Sequence, residues 1–335
     1  MRLSLPGRPW PHHIDGSVEE FCRQWYKDEC FDLIHAHSVQ VLSAAPLRVA
    51  RDMSIPYIVT LHDGWWLSPC LFLTTASGRS VEPADPLSHH DDPTAVPQDQ
   101  LDADQERRHD LFSLLESARA RLAVSRPFAD LYLKAGVADV QVLENDWTPM
   151  GHPERKRPGS AQPLRLCFVG GMSLHKGYAI LQAAIHQSRL AECGSGACLT
   201  VIDSRLDAGD DPYVLDWNGT PVSFVSPVAM DMMADFYSCQ DVLLAPSIWP
   251  ESYGLVTREA LSAGLWVVAS AIGALAEPIQ PGVNGDVVPP GDPDALSQVL
   301  KRLCREHPLV APAQDFVATC SAIDRLIPIY DRCLS

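Results

Sequence analysis

Two glutamates, Glu251 and Glu259, stand eight positions apart in the stretch WPESYGLVTREALSAG (249–264), with Gly254 between them. A carboxylate accepts two hydroxyl hydrogen bonds at once, so a spaced pair can hold hydroxyls on two different rings. Upstream, FVGGMSLHKG (168–177) sets Gly170 and Gly171 ahead of Lys176. A diphosphate needs such a cation together with backbone N–H groups at a helix start. Ser252, Tyr253, Gly254 and Leu255 can offer those N–H groups, Gly254 lets the backbone approach closely, and Arg258 adds a nearby cation. Two histidine groups come earlier: His35 and His37 in HAHS, and His62 with Asp63 in TLHD. Taken alone, Glu251 is also what an ordinary helix start carries, since the dipole favours an acid there. His35 and His37 are open to two readings, lining a site or hydrogen-bonding a sheet end.

What must position these residues is a set of short strands. FDLIHAHS (31–38) predicts a strand over 31–34 with His35 and His37 just after it, and 39–53 predicts a helix. PYIVTLHD (56–63) predicts a strand ending before His62. Helices over 109–118 and 126–136 alternate with strands over 119–125 and 140–146. The alternation restarts with a strand entering the glycine turn at 164–171 and a helix over 175–188. Strands over 197–203, 221–227, 241–247 and 266–270 follow, with helices over 230–240 and after Glu251, and a last strand, loop and helix over 285–306. Strand–helix–strand alternation with short connections is the signature of a parallel sheet covered on both faces, and such sheets bind ligands at the carboxyl ends of their strands. All four chemical groups fall there. No G-x-G-x-x-G follows any predicted strand, which argues against a nicotinamide-dependent dehydrogenase.

A chain of 335 residues with 46% hydrophobic content suits two domains with a core each. The boundaries expected are an N-terminal domain over 1–147, a Pro- and Gly-rich linker over 148–163, a second domain over 164–317, and a C-terminal helix over 318–335. The acidic stretch 78–108 reads as a mobile loop, and His89, His90, Asp91 and Asp92 inside it as a solvated run rather than a metal site. A net charge of −16 argues against a nucleic-acid partner. Ten cysteines without a CxxC pair read as reduced thiols, no apolar run is long enough to span a bilayer, and the start lacks a secretory signal pattern, so the expected location is cytoplasmic.

On the Glu251–x7–Glu259 pair, FVGGMSLHKG, GALAEPIQPGVNGDVVPPGD (273–292, with Glu277), FDLIHAHS and VTLHD, the chain resembles a retaining glycosyltransferase of the GT-B fold, in glycosyltransferase family 4 (the glycosyl transferases group 1 type). The resemblance covers nearly the whole chain and is strongest from Leu164 to Ala295. It implies an α/β architecture of two Rossmann-like, doubly wound parallel-sheet domains facing across a cleft, with the C-terminal helix crossing back to the first. It implies a hexosyltransferase (EC 2.4) that moves a sugar from a UDP- or GDP-sugar to an acceptor hydroxyl with retention. That acceptor would be a glycan, lipid-linked or small molecule in glycan, polysaccharide or glycolipid biosynthesis, at the inner membrane face or with weak peripheral membrane contact.

Roles carry over position by position. Glu251, His62 and Lys176 would be the catalytic group: Glu251 holding the transferred sugar, Lys176 neutralising the diphosphate, His62 lining the reaction centre. Glu259 would bind the ribose hydroxyls. Ser252, Tyr253, Gly254, Leu255, Gly170, Gly171 and Arg258 would serve the sugar or phosphates, and Val225, within 223–228, would lie against the base. His35, His37 and Asp63 fall on the acceptor side. No metal or other cofactor is implied; the lysine and helix termini would replace a divalent cation. Two features depart from the pattern. The glycine turn lacks the arginine usual after it, and only thirty residues precede Phe31, with no glycine-rich loop, so the N-terminal domain reads as incomplete at its start. A catalytically impaired nucleotide-sugar-binding relative, or a fragment of a split enzyme, is the alternative expectation.

Overall fold

The computed structural model describes residues 13–150, 162–307 and 321–334. The chain divides into two compact units, residues 1–146 with 320–335, and residues 147–319. In chain order the elements are α1 (Gly16–Glu29), β1 (Ile34–Ala36), α2 (Ala45–Asp52), β2 (Tyr57–Leu61), α3 (Gln98–Ser117), β3 (Ala120–Ala123), α4 (Arg126–Lys134) and β4 (Val140–Val142). Then come β5 (Leu164–Phe168), α5 (Tyr178–Ser188), β6 (Ala197–Ile202), β7 (Tyr213–Trp217), β8 (Thr220–Val225), α6 (Met233–Ser238), β9 (Val242–Ala245) and α7 (Leu255–Ser262). The last are β10 (Trp266–Ser270), β11 (Gly285–Val288), α8 (Pro293–Glu306) and α9 (Ala322–Leu334). Most of the expected linker, 151–161, lies outside the described residues.

The first unit is built on a parallel sheet in the order β1-β2-β3-β4. All five residues of β2 are buried, as an apolar run covered on both faces should be. Helix α1 was not foreseen. It starts where Asp15 accepts hydrogen bonds from the Ser17 and Val18 N–H groups, and it buries Val18, Cys22 and Tyr26 on one face. Helix α9 belongs to this unit: Ile329 and Cys333 pack with Ile58, Leu122 and Leu143.

The stretch 78–108 is not the structureless loop its composition suggests. Thr74 bridges Ser80, a 3-10 turn spans Pro86–His89, and α3 begins at Gln98, well before the expected 109. Buried Arg107 donates to the Trp65 carbonyl at 2.5 Å, Arg108 to the Pro83 carbonyl at 2.7 Å, and His90 pairs with Asp104 at 2.9 Å. The first half of α3 is acidic and largely exposed, so it shows no apolar stripe; tertiary hydrogen bonds from its arginines order what precedes it.

The second unit carries a seven-stranded sheet in the order β11-β10-β9-β5-β6-β8-β7, parallel except for β7 against β8. The β7–β8 hairpin was missed although Asn218–Gly219 at its turn is a strong hairpin signal, both residues having positive φ (55° and 83°). From β5 the chain winds outward through β6 and β8, then returns to the other side of β5 as β9 and continues to β10 and β11. The order therefore reverses between β5 and β9, and the loops leaving those two strands diverge there, where doubly wound sheets bind ligands. Among the described residues no helix is long and apolar enough to cross a membrane.

Candidate active site

The two loops at the reversal point touch at the backbone. Ile248 N–H donates to the His175 carbonyl at 2.9 Å, and Gly177 sits at φ +77° where a Cβ would lie 1.8 Å from the Pro246 carbonyl oxygen. No L side chain fits there, and that contact places Lys176 against the β9 loop. Lys176 Nζ meets Glu251 Oε1 at 2.6 Å, and Ser247 Oγ donates to the same oxygen at 2.8 Å. Glu251 is 7% exposed, and its backbone is held as firmly as its side chain. Ala274 N–H donates to its carbonyl at 2.8 Å, and Gly273 (φ +57°) packs so that a Cβ would fall 2.4 Å from that oxygen. Ser247 is a partner that sequence reading did not single out; its only signal is its place two residues past the end of β9.

Both helices leaving this point start alike. The N-caps of α5 and α7 are Gly177 and Gly254, each left-handed, neither helix has a side-chain cap, and neither has an acid in its first turn. By contrast α8, entered from the edge strand β11, is capped by Asp292. Helix starts without a capping side chain, beside a lysine, suit an anion. Glu259 lies in α7, 8% exposed, with Oε2 accepting from Tyr237 at 3.3 Å. Burial raises its pKa and the Tyr237 hydroxyl opposes that only in part. Arg258 turns onto its own loop: it donates to the Tyr253 carbonyl, lies 4.0 Å from the Tyr253 ring centroid and pairs with Glu277 at 2.9 Å. It braces the Ser252–Gly254 turn. Leu255 is the first residue of α7 and Val225 the last of β8.

Gly171 (φ +67°) lies against Ser204, where a Cβ would be 3.2 Å from Oγ, and the Gly170 position lies against the Lys176 side chain. Beside this turn stands a cation to which the sequence suggested no role. Arg205 grips buried Asp203 with two bonds of 3.0 and 2.9 Å and approaches Met172 Sδ at 3.7 Å.

In the first unit the histidines gather. His35 lies inside β1 rather than after the strand, because the sheet pairing reaches Ala36; its ring is held by Tyr330 OH at Nδ1 and Thr60 Oγ1 at Nε2, each at 2.7 Å. His37 packs against His35 with ring centroids 4.3 Å apart and planes tilted by 35°, and its Nδ1 is 3.0 Å from His62 Nε2. Burial, then the neighbouring imidazoles, lower the pKa of His35 and of His62 to about 4, and burial lowers that of His37. Asp63 accepts from Trp65 N–H at 2.9 Å and Gln40 at 2.7 Å, while burial raises its pKa.

Two family models match the chain and together span most of it: glycosyl transferases group 1 over residues 163–306 and Glycosyltransferase Family 4 over residues 4–145. The chain belongs to glycosyltransferase family 4. A D-inositol 3-phosphate glycosyltransferase of Mycolicibacterium smegmatis is 28% identical over 91% of this chain and 68% of its own length. An uncharacterized glycosyltransferase of Methanocaldococcus jannaschii is 33% identical over 41% of this chain and 35% of its own. The chain therefore spans about two thirds of the first relative and about one third of the second. Among solved structures, the Anabaena protein HepE in complex with UDP-glucose aligns with TM-score 0.65 at 19% identity, covering 94% of this chain and 81% of that one. Sucrose-phosphate synthase from Thermosynechococcus elongatus aligns with TM-score 0.59 at 20% identity, over 95% and 74%. These likenesses establish the fold: this family 4 chain is a GT-B protein of two Rossmann-like units.

Proposed function

We propose that this family 4 chain transfers a sugar from a nucleotide-sugar donor, UDP- or GDP-linked, to an acceptor hydroxyl with retention of anomeric configuration and without a divalent cation. The observation that carries the reading is the 2.6 Å contact of Lys176 with Glu251 at the strand-order reversal, flanked by helices α5 and α7 that lack side-chain caps. The similarity to a D-inositol 3-phosphate glycosyltransferase and to a protein in complex with UDP-glucose supports the donor class.

In this scheme the diphosphate lies across the two helix starts, where backbone N–H groups and the dipoles favour its charge. Lys176 stands between the phosphate and Glu251 and takes up the charge that grows on the leaving oxygen. Glu251 holds hydroxyls of the transferred sugar and Glu259 those of the ribose, with Val225 against the base. Gly170 and Gly171 let the phosphates approach the backbone. The acceptor hydroxyl attacks from the face the leaving group departs, and the departing phosphate oxygen takes its proton, so Glu251 positions the sugar and forms no bond to it. From the first unit, the family resemblance assigns His62 a catalytic role and Asp63 an acceptor-side one.

The test is turnover of a panel of UDP- and GDP-sugars, with nucleotide release counted with and without acceptors, in EDTA, and the anomeric configuration of any product read by NMR. Nucleotide binding without any release would replace this reading with a non-catalytic one. Release that needs added divalent metal would remove the metal-independent scheme.

A further inference from the structure

The histidine cluster of the first unit is tied to the C-terminal helix. His37 comes two residues after His35, just beyond the end of β1, and His62 follows the neighbouring strand β2. His35 has both ring nitrogens engaged, by Tyr330 OH and Thr60 Oγ1 at 2.7 Å each, and Tyr330 meets the ring edge-on with centroids 5.6 Å apart and planes at 87°. An imidazole fixed at both nitrogens cannot turn. His37 lies tilted against it, centroids 4.3 Å apart and planes at 35°, and His62 lies 5.3 Å from His37 with planes at 30° and the 3.0 Å Nδ1–Nε2 contact between them. Between two neutral imidazoles one nitrogen donates and the other accepts, so the tautomer of His37 dictates that of His62.

We propose that Tyr330 is a positioning residue for His62: by holding His35 it fixes the column of three rings, and the column fixes the ring plane and the tautomer that His62 presents. This assigns α9 a part in the chemistry beyond packing, for which Ile329 and Cys333 suffice as buried anchors. It rests on the role given to His62 under the proposed function.

The first measurement needs no turnover. The full chain is labelled with 15N-histidine, and long-range imidazole spectra are recorded at neutral pH, resonances being assigned by single substitution. Wild type should show one tautomer at His62. Tyr330→Phe, which keeps the ring and loses the hydroxyl, should leave the melting temperature within a few degrees and move the His37 and His62 nitrogens toward tautomer-averaged values. An unchanged His62 spectrum in a folded Tyr330→Phe variant overturns the proposal. Leu326→Ala, which thins the packing of the same helix, should lower the melting temperature and leave the spectrum alone; a His62 change of equal size there would also overturn it.

The second measurement is kinetic. Tyr330→Phe should lower kcat about threefold to tenfold with donor KM unchanged, and should add no further loss in a His62→Ala background, because residues acting through one another are not additive. Additive losses would refute the coupling. If His62→Ala alone leaves turnover intact, the catalytic role given to His62 falls, and the spectra still decide whether Tyr330 governs its tautomer.

Discussion

Glu259 is a carboxylate kept where its charge is disfavoured. It is 8% exposed, accepts from Tyr237, and has its pKa raised by burial. A group whose folded pKa lies above its unfolded value binds protons more tightly when folded, so stability falls as pH rises through that interval and the cost persists above it. Glu259→Gln should therefore raise the melting temperature at neutral pH, with the gain shrinking as pH drops into the carboxylate range. The same variant should lose the stabilisation that a nucleoside diphosphate gives to wild type. A variant that gains stability and keeps its nucleotide response would refute the ribose assignment. The histidines have the opposite sign. The folded pKa values of His35 and His62 are about 4 against an ordinary 6.5, so their contribution is fully present above 6.5 and is lost as pH falls toward 4. Melting temperature followed from pH 7 to 4 should fall across that window, and His62→Gln should flatten the fall. An equally steep fall in the variant would show that other groups control acid stability.

At the scale of elements, the geometry of the proposed site depends on how closely two loops approach. Gly177 and Pro246 are in backbone contact, and Gly177 also caps α5 with a left-handed φ of +77°. Gly177→Ala adds a Cβ with no space and a strained φ, so it should destabilise by roughly 2 kcal/mol or more. It should also weaken nucleotide binding by displacing Lys176 from Glu251, whereas Gly16→Ala, with nothing within 4 Å of its Cβ, should do neither. Denaturant melts and nucleotide titrations of the two variants check this; equal behaviour would sink it. Much of this was legible in the sequence. The strand-ending glycine turn, Lys176, and the Glu251–Glu259 spacing all fall where periodicity places strand ends, because a buried parallel strand is a continuous apolar run. Less visible were features set by contacts between distant segments. Ser247 and Tyr237 acquire meaning only once β9 and α6 lie beside α7. The early start of α3 depends on Arg107 reaching the Trp65 carbonyl, and the containment of His35 within β1 depends on pairing with β2. Helix α1 and the β7–β8 hairpin did carry local signals, an Asp15 cap and an Asn218–Gly219 turn, and could have been read.

For the whole molecule the main consequence is linkage between ligand and stability. The chain carries a formal charge of −16, yet its proposed ligand is an anion, so binding must rest on local groups working against the mean field. Lys176 and the two helix starts are such groups, all in the second unit. A nucleotide bound there stabilises the native state by about 2.7 kcal/mol at a hundredfold excess over Kd. Because the chain has two compact units, that gain need not spread evenly, and a melting temperature reports its presence without its place in the chain. Hydrogen exchange resolves it by segment. Saturating UDP or GDP should slow exchange in 168–182 and 247–262, the loops and first turns that meet at the strand reversal. Added salt should reduce the net repulsion and leave the pattern of protection unchanged. Lys176→Met should abolish protection in both segments together, since one ligand spans both helix starts. Protection that appears only around β1 and β2 in the first unit would place the nucleotide elsewhere and overturn the donor-site assignment.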